Sequence, residues 1–178
     1  MGGTCSGPSL KDLPKKILII GNSGGGKTHL LYSWVLGTND LDTVPTDSFN
    51  VERVAVEGKV YMVWDLCGRK DFRLKRRQFY HGTDGVVYII DALSDIEDTI
   101  DDLAKVTMER DLNSLPFLVL INKRKDINSD LVIKVESALK NHPGSSQVMD
   151  VNIMDKESVS AALIQLHKML TSTSSVIP

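Results

Sequence analysis

The chain alternates short, unbroken apolar runs with segments whose apolar residues recur at helical spacing. Ile17–Ile20, Val86–Ile90 and Phe117–Ile121 are continuous apolar runs of the kind that form parallel strands covered on both faces. A helical pattern follows each: His29–Leu36, then Ser94–Arg110, then Leu131–Lys140. Ser94 and Glu97 stand at capping-box spacing at the front of the second helix. A last helix is predicted over Lys156–Leu170, capped by Asp155, with Val159, Leu163, Leu166 and Leu170 along one stripe. Between the first two units, Asn50–Glu57 and Lys59–Asp65 meet at Glu57-Gly58 and predict an antiparallel hairpin, with Val60, Met62 and Trp64 as its alternating apolar set. The pattern predicts an α/β fold: a mostly parallel six-stranded sheet with one antiparallel edge hairpin and helices on both faces. Such sheets bind ligands at the carboxyl ends of their strands.

The 178 residues suffice for one domain of this kind and not for two. Residues 1–14, MGGTCSGPSLKDLP, are small, polar and rich in breakers, and are expected to form a flexible arm. The segment 171–178, TSTSSVIP, has no charge and no helical period and is expected to be a disordered tail, which leaves 15–170 as the domain. The net charge of −2, from 21 Lys and Arg against 23 Asp and Glu, argues against a nucleic-acid binder. Two cysteines, Cys5 and Cys67, rule out a disulfide-stapled fold and suit a reducing compartment. No apolar run approaches the ~20 residues that cross a bilayer, and MGGTCSGPSL lacks the apolar core of a secretory signal. A cytoplasmic domain is the expectation. His29, His81, His142 and His167 show no ligand spacing, so no transition-metal site is predicted.

Directly after the first strand comes Gly21-Asn22-Ser23-Gly24-Gly25-Gly26-Lys27-Thr28, a G-x-x-x-x-G-K-[ST] match. Glycines let successive backbone N–H groups point at phosphates, and the following helix N-terminus adds partial positive charge. Lys27 would reach the β- and γ-oxygens, and the Thr28 hydroxyl would ligate Mg²⁺. A glycine-rich turn that binds nothing is the alternative; the strand before and the helix after favour the phosphate loop of a P-loop NTPase. The motif is silent about the base.

Two further segments narrow the class. Thr43-Val44-Pro45-Thr46-Asp47-Ser48-Phe49-Asn50-Val51-Glu52 precedes the second strand, and Val63-Trp64-Asp65-Leu66-Cys67-Gly68 closes the third. With these the chain resembles the ADP-ribosylation factor and Arf-like small GTPases over residues 15–170. The resemblance implies GTP or GDP and Mg²⁺ as cofactors. Thr46 would be the switch I threonine, giving its hydroxyl to Mg²⁺ when the γ-phosphate is present. Asp65 would hold the metal through water, and the Gly68 N–H would meet the γ-phosphate. It also implies a hairpin, Phe49–Asp65, that slides between nucleotide states. The implied function is a switch in vesicle-mediated transport or organelle targeting, read by exchange factors, GTPase-activating proteins and effectors.

The pattern breaks in places. After W-D-x-x-G the family has Gln, which orients the attacking water; here that position is Arg69. A guanidinium has five donors and no acceptor, so weak intrinsic hydrolysis is expected, although Arg69 could pair with a phosphate. Cys67 replaces the first of two glycines. The guanine-reading N-K-x-D becomes Asn122-Lys123-Arg124-Lys125-Asp126, with the carboxylate one residue late. Either the loop carries an insertion and Asp126 swings in, or Lys125 takes the place and guanine selectivity collapses, because a donor-only ammonium would face donors. The second base loop, Asn152-Ile153-Met154, is a poor match. A non-cycling pseudo-GTPase that serves as a binding module is the rival reading, and a P-loop kinase a third.

Met1-Gly2-Gly3-Thr4-Cys5-Ser6 fits the N-myristoylation pattern on Gly2. One myristoyl chain binds membranes only marginally, and Cys5 offers a second, palmitoyl signal. Lipidation would place the protein peripherally on an endomembrane such as the Golgi; the alternative is an unmodified tail. Arg69, Lys70, Arg73, Lys75, Arg76 and Arg77 form a basic run expected to be mostly solvated, with docking to an acidic partner or anionic lipid as its functional alternative. Asp95, Glu97, Asp98, Asp101 and Asp102 are expected to be an exposed helix front.

Overall fold

The computed structural model describes residues 13–123 and 129–172. The elements run β1 (Lys15–Ile20), α1 (Lys27–Leu36), β2 (Phe49–Val56), β3 (Lys59–Leu66), β4 (Gly85–Asp91), α2 (Ile96–Thr107), β5 (Phe117–Asn122), α3 (Ser129–Leu139), β6 (Ser146–Val151) and α4 (Lys156–Ser172). Two 3₁₀ turns, Lys70–Phe72 and Lys75–Phe79, join β3 to β4. The strands form one sheet in the order β2-β3-β1-β4-β5-β6, and every pairing is parallel except β2 with β3. This is the predicted sheet with its antiparallel edge hairpin.

The unbroken apolar character of β1, β4 and β5 follows from their having two covered faces. Ile17 and Ile19 join Leu30, Leu31 and Ala162 in the core beneath α1 and α4. Leu18 and Ile20, pointing the other way, join Leu103, Val106 and Val135 beneath α2 and α3. No described helix is long and apolar enough to cross a membrane.

Three local expectations are corrected. α2 starts after Asp95, not at Ser94: the Asp95 carboxylate accepts the Asp98 N–H at 3.2 Å, and its carbonyl accepts the Thr99 N–H. Ser94 Oγ instead donates to the Asp91 carbonyl, closing the preceding turn, so the Ser94–Glu97 box does not form. In the hairpin the buried face is Tyr61 and Val63, whereas Val60 is 36% exposed. Tyr61 and Val63 belong to the core beneath α1 and α4. On the opposite face Trp64 is half-buried, stacking on Phe49 at 5.3 Å and meeting Phe79 at 6.0 Å. Finally, α4 extends to Ser172, past the predicted end at Leu170.

Candidate nucleotide-binding site

The segments that follow the carboxyl ends of β1, β3 and β6 line one cleft of about 300 Å³. The loop after β1 turns into α1 at Gly26, which has φ 94° and acts as the N-cap. A side chain there would be strained and would bring its Cβ to 2.5 Å from Ile153 Cδ1. The first amides of α1 therefore open towards the cleft wall formed by Ser23, Gly24, Gly26, Lys27 and Thr28. Gly21 and Gly25 lie against Ile89 behind this loop. Lys27 is 5% exposed and donates to the Asn22 carbonyl at 2.8 Å. Burial pulls its ammonium below the ordinary lysine value, opposed by the nearby Asp65 carboxylate.

Thr28, Thr46 and Asp65 converge beside Lys27. Asp65 Oδ2 accepts from Thr28 Oγ1 at 2.6 Å and from Thr46 Oγ1 at 3.0 Å, and the two hydroxyls lie 2.9 Å apart. Asn50 Nδ2 donates to Thr46 Oγ1 at 3.0 Å and to Asp65 Oδ2 at 3.1 Å, fixing both. Asn50 has no role implied by the family resemblance, although it stands within Thr43–Glu52. Asp65 is fully buried, and its Oδ1 has no partner among the described residues. An oxygen-only set with an unpaired buried carboxylate oxygen fits a hard cation such as Mg²⁺. Among the described residues no group of three or more His, Cys, Asp or Glu is placed to hold a metal ion.

Gly68 packs on the phosphate loop. Its carbonyl accepts the Ser23 N–H at 3.0 Å, and an added Cβ would lie 2.5 Å from Ser23 N. The peptide expected to offer its N–H to a γ-phosphate thus sits at the loop, with its carbonyl engaged. Cys67 is buried, and its N–H donates to the Ser48 carbonyl at 2.8 Å. Arg69 is half-exposed and pairs with Asp47 at 3.5 Å and Asp71 at 3.3 Å, joining the two loops that flank the cleft.

At the far end, Asn122 braces three segments: Nδ2 donates to the Gly25 carbonyl at 3.2 Å, and Oδ1 faces the Ile153 N–H at 3.5 Å. Lys123 pairs with Asp150 at 2.9 Å. Ile153 and Met154 line the cleft, and Asn39 Nδ2 donates to the Ile153 carbonyl. Lys125 and Asp126 lie outside the described residues, as do Gly2 and Cys5.

Of the basic run, Arg69, Lys70, Lys75 and Arg77 are exposed as expected, but Arg73 and Arg76 are not, which corrects the expectation for those two. Arg76 is buried and bonds Asp102 through both terminal nitrogens, at 3.0 and 2.6 Å. Arg73 grips Asp98 at 2.6 and 3.1 Å and reaches Asn22 Oδ1 in the phosphate loop at 2.8 Å. Lys70 pairs with Asp98 and Arg77 with Glu109. The acidic front of α2 is correspondingly not wholly exposed: Asp102 is buried and Asp98 half-buried. Asn22 Nδ2 completes the chain by donating to Thr99 Oγ1 at 2.6 Å.

The hydrogen bond from Arg73, aided by Lys70 against a burial penalty, holds the Asp98 carboxyl below its ordinary value. The native state then binds fewer protons than the unfolded chain in this range. The stabilisation is complete above the usual carboxylate pKa and is lost as pH falls through the lower native value. Asp98→Asn should therefore flatten the acid limb of stability below about pH 4, measured as urea midpoints across pH; an unchanged limb would dissociate Asp98 from anchoring of the segment Arg69–Phe79.

A phosphate loop, a Thr–Thr–Asp oxygen set and an edge hairpin on a parallel sheet define a P-loop protein of the small GTPase type. The sequence profile of the ADP-ribosylation factor family matches residues 8–172. The chain belongs to that family. It is 35% identical to ADP-ribosylation factor-like protein 1 of Drosophila melanogaster over 128 residues, 70% of this chain and 69% of the relative. It is 34% identical to ADP-ribosylation factor K of Dictyostelium discoideum over 119 residues, 64% of this chain and 61% of that protein's length. Among solved structures, the Arl6 (BBS3) small GTPase of Trypanosoma brucei with the bound nucleotide analogue GppNp shares the fold. Its TM-score is 0.77 at 17% identity, covering 90% of this chain and 99% of that one.

Proposed function

We propose that this protein is a Mg²⁺-dependent GTP-binding switch with slow intrinsic hydrolysis, acting in intracellular transport. The observation that carries the reading is the convergence of Thr28, Thr46 and Asp65 beside the Lys27 phosphate loop. Two loops distant in sequence meet there on a carboxylate with a free buried oxygen. Residues 21–28 and Gly68 would cradle the phosphates, and Thr28, Thr46 and, through water, Asp65 would hold Mg²⁺. When bound, the ion would neutralise charge on the β- and γ-oxygens. Asn122, Lys123 and the Lys125–Asp126 segment would serve the base.

Arg69 is donor-only and engaged with Asp47 and Asp71, so it supplies no acceptor to align a water. Hydrolysis then depends on a GTPase-activating partner. Exchange factors and effectors would read Thr43–Asp65 and the segment after Gly68. Residues 15–170 form the switch domain, and the arm 1–14, myristoylated at Gly2 and palmitoylated at Cys5, would place it on an endomembrane such as the Golgi.

Calorimetry with MgGTP and MgATP, repeated without Mg²⁺, tests the reading. Tight MgGTP binding, weak ATP binding and a large loss on chelation are expected; no heat with any nucleotide would sink it. Single-turnover hydrolysis in the same preparation should be slow, and a rate like that of a Gln-bearing small GTPase would reject the role given to Arg69. The rival, a non-cycling pseudo-GTPase, draws on the ties of Arg73 and Arg76 to α2, which fix switch II, the segment Arg69–Phe79, through protein contacts. It predicts the same protease sensitivity of switch II with GDP and with a GTP analogue.

A further inference from the structure

Between Lys27 and Arg53 the chain carries four carboxylates, Asp40, Asp42, Asp47 and Glu52, and neither lysine nor arginine. The whole chain has a net charge of only −2, so this negative charge is local. The fold lays the stretch along one side of α1. Thr28, Tyr32 and Leu36, four residues apart on the helix, form one wall of a groove of about 600 Å³, and the segment 41–50 forms the other. At the helical rise per residue the α1 wall is about 12 Å long. Its apolar lining is open to solvent: Leu36 is 60% exposed and Val44 79%. Asp42 and Asp47 stand on the same lining, which holds no Lys or Arg among the described residues. Asp47 meets Arg69 at 3.5 Å, yet its side chain stays 97% exposed.

Grouped, exposed apolar side chains mark an interaction site, and the carboxylates beside them select its occupant by charge. A small apolar molecule would cover Leu36 and Val44 but leave Asp42 and Asp47 without partners. A purely basic surface would pair the carboxylates and leave the apolar walls in water. A helix with apolar residues on one face and Lys or Arg flanking them satisfies both, and its i to i+7 anchors span about 10.5 Å, which fits the α1 wall. We propose that this groove is the docking site for a basic amphipathic helix of a partner protein. The proposal deepens the switch reading, on which it rests, by giving the chemistry of one partner. The groove ends at Thr28 and Thr46, whose hydroxyls lie 2.9 Å apart in the candidate metal site, so a helix seated there adjoins the residues that would hold the ion.

The probe is a fluorescein-labelled peptide of about 18 residues, made of leucine and lysine alone, with leucines at i, i+3, i+4 and i+7 spacing. A second peptide replaces every lysine by glutamate. By fluorescence anisotropy the full-length protein should bind the lysine peptide, and the glutamate peptide at least about tenfold more weakly. Leu36→Ser should weaken the lysine peptide by about tenfold or more, as expected for an apolar anchor. Asp42→Asn should weaken it by about two- to fivefold, an effect that salt screens, and Asp42→Lys should narrow the gap between the two peptides. Leu74→Ser and Asp101→Asn, at exposed positions elsewhere, should bind as wild type does. Leu36 and Asp42 are exposed, so their variants should melt with wild type; should Leu36→Ser melt lower, the two Asp42 variants decide. Equal binding of both peptides, no binding of either, or a loss in Leu74→Ser as large as in Leu36→Ser overturns the proposal. Self-association of wild type that Leu36→Ser abolishes would give the groove to a second copy and overturn it as well. Titration of the same preparation with MgGTP keeps the two readings apart: nucleotide bound without peptide removes the groove alone, and peptide bound without nucleotide removes the switch.

Discussion

An Asp102→Ala variant is expected to lose about 3–5 kcal/mol of folding stability, the range for removing one partner of a buried ion pair. Asp102 is 3% exposed and Arg76 5%. The carboxylate holds the guanidinium through two bonds, and Tyr88 OH donates to the same carboxylate at 2.7 Å. Burial, and then the Asp102 charge, push the Tyr88 phenol well above its ordinary value, so it stays protonated and keeps donating. After truncation Arg76 retains Tyr80 OH, at 2.8 Å from Nε, but its charge has no counterion in contact. Arg73 Nε also loses the oxygen 3.5 Å away. In urea denaturation the midpoint should fall sharply, and in thermal melts by roughly 10 °C. The double variant Arg76→Met, Asp102→Leu should recover most of the loss, because both buried charges disappear together. The single variant should also loosen the 3₁₀ turns, read as faster tryptic cleavage after Arg73 and Lys75. A loss under about 1 kcal/mol would mean that water reaches this pair.

That network was not legible in the sequence, and the reason is physical. The basic run and the acidic cluster each look like a solvated face when judged alone, because a continuous helix could not bring Arg69, Lys70, Arg73, Lys75, Arg76 and Arg77 all to one face. Arg73, between the two 3₁₀ turns, and Arg76, three residues on in the second, both face α2. Asp98 and Asp102 lie four apart, one turn of α2. The matched spacings were a usable signal, but only the approach of the 3₁₀ turns to α2 makes them partners. β1, β4 and β5 were legible because a strand with two covered faces must be apolar at consecutive positions. The hairpin misled in its buried face, since Val60, Met62 and Trp64 are apolar while the true core set includes Tyr61. The α2 cap misled because Ser94 and Asp95 are adjacent candidates that spacing alone cannot rank.

The site divides in the same way. The phosphate loop could be read residue by residue because its function depends on local backbone geometry. Thr46 and Asp65 needed the family pattern to be joined, since they approach each other only through the hairpin. Asn50 escaped notice, as it carries no motif role: it braces the threonine and carboxylate. Together, Asn22, Arg73, Asp98 and Thr99 connect the phosphate loop, switch II and α2 by hydrogen bonds. Asn22 of that loop is therefore held by the same Arg73 that grips Asp98 of α2.

Lys27→Met is expected to move binding and stability in opposite directions. In the nucleotide-free fold, Lys27 is a buried cation with the Asn22 carbonyl as acceptor and a depressed ammonium pKa, whose first cause is desolvation. Methionine has similar length, fills the same space and carries no charge. Asp65 keeps Thr28, Thr46 and Asn50 as donors after the change. The variant should accordingly be slightly more stable, because the lowered ammonium pKa, desolvation outweighing the Asp65 charge, means that the fold carries this charge at a net cost. Bound phosphate reverses the balance, because the ammonium then makes charge-assisted bonds whose loss, at about 3 kcal/mol, weakens affinity by about 100-fold. Nucleotide at about 100 times its Kd adds roughly 2.7 kcal/mol to the wild type and far less to the variant. Melting curves should therefore rank the variant above wild type without MgGTP and below it at saturation. A variant that is less stable in both conditions, with an undiminished shift on adding nucleotide, would make Lys27 a structural residue and remove the phosphate-loop reading.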